Sequence, residues 1–357
     1  MNIGVIFGQM LVLLAMMAVG YFCYKKSWVS DATAGTLSKI VVNIFNPILV
    51  VNGVLGQNSA AAGNNVAWNV LFMVIYFSLL MVVGFLLPEL LRPAEGCKNV
   101  YRLMTIFSNV GFMGIPVIRS IFGDGAMIYV AFYILGYNIM IYTVGLFLAQ
   151  KAGEENRTSG ISYLAALAAN GERGASRKRK KVRERVSPEK KNGVAEFFKR
   201  MMNPGVVAAL LAVVIFASGI QMPEPIVTFC DYMGNTTIPL SMIMIGISVA
   251  QADLKEVFTD WRLYLFILLR MIALPIAAIF VLKLVLGNVT SSAAIEAVSA
   301  MDPAVIGVFI VELGMPVGSI VAMMIRENDG DIACCTRGVV LSTLASIVTI
   351  PLICAFL

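Results

Sequence analysis

Two charged residues lie inside long apolar stretches and could do chemistry there. Glu312 lies in the stretch 298–325, and Arg270 lies in the stretch 261–286. A charge in a bilayer costs at least about 2.5 to 3.5 kcal/mol, so such a residue indicates function by default. Glu312 could take up a proton or bind a cation, and Arg270 could neutralise Glu312 or bind a carboxylate. The alternative is an ion pair between the two with only a structural role.

A helix-breaking tripeptide, Gly-x-Pro, occurs in the middle of two apolar stretches. It runs from Gly114 to Pro116 and again from Gly314 to Pro316. Proline removes a backbone donor and clashes with the carbonyl four residues earlier, while glycine adds backbone freedom. If a helix resumes at about Pro116 and Pro316, each start exposes unpaired N–H groups and roughly half a positive charge. The two starts predict a site for an anion such as a carboxylate; the alternative is a pair of simple kinks.

Neutral polar residues near the breaks could hydrogen-bond the same anion. Asn109 lies seven residues before Pro116, about two turns, and is therefore the first candidate. The next candidates lie beside prolines in apolar stretches: Asn43, Asn46, Asn235 and Thr237. The alternative for these is hydrogen bonding between helices. Asp231 and Arg119 fit better as side chains that reach toward a membrane interface.

The composition indicates a membrane protein. Of 357 residues, 59% are hydrophobic and 13% are charged, against roughly 45 to 50% apolar residues in a soluble domain. A membrane helix needs about 20 mostly apolar residues, and ten stretches qualify. They are residues 3–24, 36–55, 66–88, 100–122, 126–149, 204–221, 226–250, 261–286, 298–325 and 335–356. The sequence thus predicts an all-α polytopic membrane protein with ten transmembrane helices.

The residue types that most enzymes need are missing or scattered. The chain has no histidine, which excludes His-based triads, His-ligated metals and His proton shuttles. Its six cysteines show no ligand or disulfide spacing, and no ATP-binding signature is present. We therefore expect no enzyme activity, no metal site and no cofactor beyond a coupling proton or sodium ion.

Positive charge is concentrated in one stretch. Residues 150–200 contain 14 Lys and Arg against 6 Glu. Beside membrane helices, such a run indicates a cytoplasmic loop that sets topology and touches anionic lipid, rather than nucleic-acid binding. The short loops on the same side carry most of the other positive residues. We therefore expect a multi-pass protein of the cell (inner) membrane with both termini outside.

This basic loop divides the chain into two halves of five helices, 1–149 and 201–357. Because five is odd, the halves must have opposite orientations. Asn43 and Asn235 each lie four residues before a proline in the second helix of their half, and Gly-x-Pro falls in the fourth helix of each half. These matches predict an inverted repeat in which helices four and nine break and cross.

Motifs spread over the chain carry a resemblance to a known family. They are Ser108 to Pro116 followed by Phe122-Gly123, Asn203-Pro204-Gly205, Ile238-Pro239-Leu240 with Ile245-Gly246, Met315-Pro316-Val317, and Leu341-Ser342-Thr343-Leu344 with Pro351. In combination they resemble the auxin efflux carrier family of plant auxin carriers and bacterial organic-acid permeases. The resemblance implies a scaffold part and a mobile transport part whose fourth and ninth helices cross where they break. The short central loop looks closer to the bacterial branch, whose substrates are malate, malonate and similar carboxylates.

The residues and the resemblance together predict a secondary transporter of small organic anions. It would work by alternating access around the crossing. Two alternatives stay open: a sodium-coupled organic-anion symporter with Glu312 as a coordinating group, and a metabolite-sensing membrane receptor that signals through the basic loop. The expected partners are the organic anion and membrane lipid, with a homodimer left open.

Overall fold

The computed structural model describes residues 3–55, 59–169, 204–288 and 299–357. Within these residues the chain is almost entirely helical and contains no β-strand. Seven described helices are long and apolar enough to cross a membrane: Ile6–Lys25, Asp31–Asn52, Asn65–Leu91, Met127–Gly160, Glu224–Gln251, Trp261–Gly287 and Ile332–Cys354. The prediction of a helical, multi-pass membrane protein is confirmed at this level, while the ten spans and the inverted repeat stay predictions.

The helices are numbered in chain order. They are α1 (Ile3–Lys25), α2 (Asp31–Asn52), α3 (Ser59–Leu91), α4 (Lys98–Ile106), α5 (Val110–Phe122), α6 (Met127–Met140, continued by Ile141–Gly145 and Leu146–Ala169), α7 (Pro204–Ser218), α8 (Glu224–Gln251), α9 (Leu254–Thr259), α10 (Trp261–Gly287), α11 (Pro303–Gly314), α12 (Ser319–Glu327) and α13 (Ile332–Cys354). The two segments that carry Gly-x-Pro are thus each divided into two shorter helices.

Helix α6 continues well beyond the apolar stretch that predicts it. The stretch ends at residue 149, but the helix ends at Ala169. Its polar part is held by tertiary contacts, because Arg157 pairs with Asp329 at 2.6 Å and Asn156 donates to the carbonyl oxygen of Asp329 at 2.9 Å. The beginning of the predicted basic loop is therefore helical, and residues 170–200 lie outside the described residues.

Helices α1 and α8 pack backbone against backbone. A Cβ atom at Gly20 would lie 2.0 Å from the carbonyl oxygen of Ile243, and one at Gly246 would lie 1.9 Å from that of Met17. Small residues of this kind let membrane helices approach closely. Helix α2 contacts both α7 and α8, so these four helices form one group, which we call the panel (α1, α2, α7 and α8).

The remaining long helices form a second group around the two divided segments. Helix α3 contacts α4 and α11, α6 contacts α4, and α13 contacts α11 and α12. We call α3 to α6 and α10 to α13 the core. The panel contacts the core where α7 meets α6 and where α1 meets α5 and α13. The candidate site lies in the core, beside this boundary.

In three described helices a π-helical turn is followed by a proline. The turns lie at Val41–Phe45, Val110–Gly114 and Leu268–Ala273, and the prolines are Pro47, Pro116 and Pro275. A π turn is wider than an α-helical turn, which relieves the contact between the proline ring and the carbonyl of the preceding turn. Each helix therefore continues past its proline.

Candidate functional site

Both segments that carry Gly-x-Pro are interrupted, and the interruptions meet. Residues 107–109 separate α4 from α5, and residues 315–318 separate α11 from α12. An antiparallel backbone bridge joins them and pairs Ser108 with Val317. Four helix ends therefore converge: the N-terminal ends of α5 and α12 and the C-terminal ends of α4 and α11.

Two backbone hydrogen bonds hold this bridge. The N–H of Asn109 donates to the carbonyl oxygen of Pro316 at 2.7 Å, and the N–H of Gly318 donates to that of Phe107 at 2.9 Å. A Cβ atom at Gly318 would lie 2.8 Å from the carbonyl oxygen of Ser108. The close approach of the two chains therefore requires glycine at this position.

The first break does not lie where Gly-x-Pro predicts it. Helix α5 begins at Val110, not at Pro116, and Gly114 is helical. Asn109 is the N-cap of α5, because its side-chain oxygen accepts a hydrogen bond from the N–H of Phe112 at 3.2 Å. The π turn accommodates the ring of Pro116, so the helix continues through this residue. The first N–H groups of the half-helix, which lack intrahelical partners, therefore lie next to Asn109, about two turns before the predicted position.

The second break lies close to its predicted position. Helix α11 ends at Gly314, Met315 is extended, and α12 begins at Ser319 rather than at Pro316. The carbonyl of Pro316 belongs to the bridge. A Cβ atom at Gly314 would lie 2.5 Å from Cδ1 of Ile353, so this glycine makes room for α13.

Arg270, from α10, caps both C-terminal helix ends at the break. Its side chain is only 2% exposed, and its Nε donates to the carbonyl oxygen of Thr105 at 2.8 Å. Its terminal nitrogens donate to the carbonyl oxygen of Leu313 and to the hydroxyl of Ser108. A cation is favoured at helix C-termini. Within the described chain Arg270 forms no ion pair with Glu312, so the ion-pair alternative does not describe this structure.

Glu312 is fully buried one turn before the second break. It is 0% exposed, and neither carboxyl oxygen accepts a hydrogen bond from a described residue. A Cβ atom at Gly114 would lie 2.6 Å from its Oε1, so the carboxyl group lies against α5. Its electrostatic neighbours include the hydroxyls of Tyr76 and Tyr133. An ionised carboxylate without donors is costly in such a place unless a proton or a cation reaches it.

Two of the remaining polar candidates lie on the panel side of the break: Thr237 is buried, and Asn46 is partly buried with its Oδ1 atom inaccessible. A Cβ atom at Gly111 would lie 3.6 Å from Oδ1 of Asn46. That oxygen and the hydroxyl of Thr237 have no hydrogen-bond partner among the described residues. Helix α8, which carries Thr237, contacts the π turns of both α2 and α5. The structure thus brings Asn46 to the first turn of α5 and places Thr237 at the same interface.

The structure does not bring Asn43 and Asn235 to the break. Asn43 is exposed and donates to the carbonyl oxygen of Lys39 in its own helix at 2.8 Å. Asn235 is exposed and accepts a hydrogen bond from Arg119 at 2.9 Å. Equal spacing from a proline therefore gives the two asparagines different partners, one within its own helix and one on α5.

A cavity of about 170 Å³ lies between the panel and the core. Its walls include the end of α2, Ile115 and Arg119 of α5, and Asp231 of α8. Asp231 accepts a hydrogen bond from Asn52 at 2.9 Å. Ile115 directly follows Gly114, so the cavity reaches α5, the helix that begins after the first break. Arg119 and Asp231, expected at a membrane interface, are thus polar residues in the wall of a cavity whose lining is otherwise mostly apolar.

Three residues that hold the bridge have no role predicted from the sequence. The hydroxyl of Tyr76 donates to that of Ser108 at 3.1 Å, and the N–H of Val317 donates to the hydroxyl of Ser342 at 3.2 Å. Ser108 and Ser342 lie in motifs that carry the family resemblance, which is the signal that could have singled them out. Tyr76 had no such signal.

Comparison with known proteins agrees with this architecture. A family described as membrane transport protein matches residues 5–354. The chain belongs to this family, the auxin efflux carrier family. One curated relative is an uncharacterized transporter from Methanothermobacter thermautotrophicus. It is 24% identical to this chain over 340 residues, which are 95% of this chain and 94% of the relative. The resemblance found in the motifs is therefore confirmed, and the family is one of membrane transporters rather than enzymes.

Proposed function

We propose that this family member is a secondary transporter of small organic anions, carboxylates such as malate or malonate. Its substrate would bind where the two interrupted segments meet. The observation that carries the proposal is the N-terminal end of α5, buried beside a second helix N-terminus and capped by Asn109. Two helix N-termini that converge in a buried place favour an anion.

The first turn of α5 has donors to offer. The first four N–H groups of a helix lack intrahelical partners. The side chain of Asn109 accepts from Phe112, and its carbonyl oxygen accepts from Gly114 at 3.0 Å. Of the first four N–H groups, those of Val110, Gly111 and Met113 are then left, and a carboxylate at the tip of the helix would engage the first two of them, with the Asn109 side-chain amide beside them.

The cavity between the panel and the core supplies a route to this place. Its volume of about 170 Å³ is several times the space that one water molecule needs, so a small carboxylate can enter it. Because its walls come from both helix groups, movement of the core against the panel would open or close it. In this proposal that movement is the alternating-access step.

The proposal takes the chain as ten spans in two inverted five-helix repeats with crossing broken helices. The packing of the panel supports it. Helix α1 contacts α8 and α2 contacts α7, so the first and second helices of one half contact the second and first of the other. Such exchanged partners are what a two-fold axis in the membrane plane would produce.

In this proposal Glu312 couples transport to protons. Its carboxyl group lies against Gly114, within the same helical turns that would hold the substrate. A charged Glu312 and an anionic substrate would therefore compete for one helix N-terminus. Protonation of Glu312 removes the competing charge, so substrate and proton would enter together. Arg270 donates hydrogen bonds to the helix C-termini. It would therefore stabilise the helices around the site rather than contact the substrate.

A sodium-coupled symporter is the second candidate. The observation in its favour is the same pair of carboxyl oxygens without donors, because such oxygens would also suit a sodium ion. Purified protein in liposomes distinguishes the two. Uptake of radiolabelled mono- and dicarboxylates should rise with an inward proton gradient and should not require sodium. A strict sodium requirement would favour the symporter, and no uptake of any carboxylate would contradict the proposal as a whole.

The receptor alternative is tested by removing the basic segment. A deletion of residues 171–195 spares α6, which ends at Ala169, and its contact with Asp329. A transporter should retain measurable flux after this deletion. Loss of flux with intact folding would contradict the view that the segment is dispensable for transport.

A further inference from the structure

We propose that the transported anion carries a hydroxyl group next to its carboxylate, and that Asn46 of the panel recognises this hydroxyl. The inference rests on the proposed function, because it specifies which carboxylate the site beside α5 accepts.

Three buried oxygens lie along the interface between α2 and α8. Oδ1 of Asn46 and the hydroxyls of Thr237 and Ser241 have no partner among the described residues. Gly234, Thr237 and Ser241 follow one another at spacings of three and four, so they share a face of α8. A Cβ atom at Gly234 would lie 3.3 Å from the Cα of Leu49 in α2, so this face is turned toward α2.

Asn46 joins this interface to the break. Its Oδ1 lies 3.6 Å from the Cβ position of Gly111, in the first turn of α5. Backbone donors and a side-chain acceptor therefore lie side by side. A carboxylate fits the donors, and a neighbouring group that donates a hydrogen bond fits the acceptor. Buried acceptors of this kind call for a partner, because nearly all such groups in native proteins have one.

A hydroxyl fits the acceptor better than an ammonium group does. Glu312 approaches α5 from the core, against Gly114, whereas Asn46 approaches from the panel, against Gly111. Among the described residues of the panel helices the acidic ones are Asp31, Glu224 and Asp231, and Asp231 is engaged with Asn52. An ammonium at Asn46 would have to leave water for a neutral amide oxygen, with only the carboxylates of its own molecule as counter-charge, which is costly. A neutral hydroxyl avoids that cost.

The test uses pairs of acids that differ by one hydroxyl group. Malate and succinate form a dicarboxylate pair, and lactate and propionate form a monocarboxylate pair. Competition against a transported radiolabelled anion in proteoliposomes gives the affinity of each acid. The wild-type protein should prefer the hydroxylated member of a pair by about tenfold or more, because the analogue leaves a buried acceptor unpaired.

Replacement of the acceptor should remove the preference. In Asn46→Leu the ratio within the pair should fall to about one through weaker binding of the hydroxylated acid, while binding of the other acid stays within about twofold. If Asn46→Leu does not fold, Thr237→Val removes a neighbouring polar group with little change in shape and should lower the ratio at least about threefold. The matched control is Asn138→Leu, since Asn138 bonds to the carbonyl of Ile134 in its own helix and should leave the ratio unchanged.

The outcomes separate this inference from the proposed function. Equal affinity for both members of each pair, or a ratio that survives Asn46→Leu, overturns the inference and leaves transport of carboxylates in place. Stronger binding of aspartate than of malate also overturns it, in favour of an ammonium. If no carboxylate is transported or bound, the proposed function fails and the inference fails with it.

Discussion

The carboxyl group of Glu312 occupies the space that a side chain at Gly114 would need: a Cβ atom at Gly114 would lie 2.6 Å from its Oε1. The first Gly-x-Pro motif thus contributes a glycine that receives an acidic side chain from the helix before the second break. The two interrupted segments are joined here by a side-chain contact, in addition to the backbone bridge between Ser108 and Val317.

Gly114→Ala should impair transport more than folding. The added methyl group displaces the carboxyl of Glu312, which is the mobile end of its side chain and can shift at modest cost. We expect uptake in proteoliposomes to fall about tenfold, equivalent to about 1.4 kcal/mol, with only a small change in Tm. The control is Gly35→Ala, where a Cβ atom meets nothing within 4 Å and helix propensity improves. Wild-type uptake in Gly114→Ala would argue against a role for this contact.

Glu312→Gln should abolish the response of transport to a proton gradient. Glutamine resembles the proton-bound carboxyl group and cannot release a proton, so uptake should continue downhill but no longer follow pH. Uptake measured at several internal and external pH values checks this. Glu256→Gln is the control, because Glu256 is exposed and pairs with Arg337 at 3.4 Å. If the variant keeps the pH profile of the wild type, Glu312 has a structural role only.

Asn109→Ala and Asn109→Ser should separate capping from substrate binding. Alanine removes the N-cap of α5, which should cost about 1 kcal/mol of stability, and it also removes the amide group beside the substrate. Serine keeps a capping oxygen but not the amide. We therefore expect weaker anion binding in both variants and a lower Tm only in the alanine variant. A thermal-shift titration with the transported anion measures both effects, and unchanged affinity in Asn109→Ala would sink the assignment.

Arg270→Gln should destabilise the fold strongly. The buried carbonyls of Thr105 and Leu313 lose their Arg270 donors, and leaving such groups unpaired costs about 1–3 kcal/mol each, while Ser108 keeps the hydroxyl of Tyr76 as a donor. Arg270→Lys should rescue only part of this loss, because an ammonium does not match the planar fork of a guanidinium. Thermal unfolding in detergent measures the difference. Arg337→Gln, which removes an ion pair near the surface, should cost at most about 1 kcal/mol. A small effect of Arg270→Gln would contradict its role as a double cap.

The class of protein and the rough place of its site follow from the sequence alone. Apolar stretches of about 20 residues predict membrane helices by the length of a bilayer, and the confirmed family membership agrees with motifs such as Ser108 to Pro116. Asn109, Gly114, Glu312 and Pro316, chosen from spacing, do come together at one break. Glycine and proline disturb a helix within a few residues, so their positions in the sequence predict roughly where the segments are interrupted.

The exact position of the first break and the partners of the polar side chains depend on contacts between segments that are far apart in the chain. A proline predicts a disturbed helix, but a π turn can accommodate its ring. The first break therefore lies at residues 107–109 rather than at Pro116. Asn43 and Asn46 look alike in sequence, yet only Asn46 meets α5, because the face that a helix buries depends on its neighbours. Arg270 caps carbonyls of α4 and α11 that are far away in the chain. No local pattern encodes such partners, since the packing of all the helices determines which groups each side chain can reach.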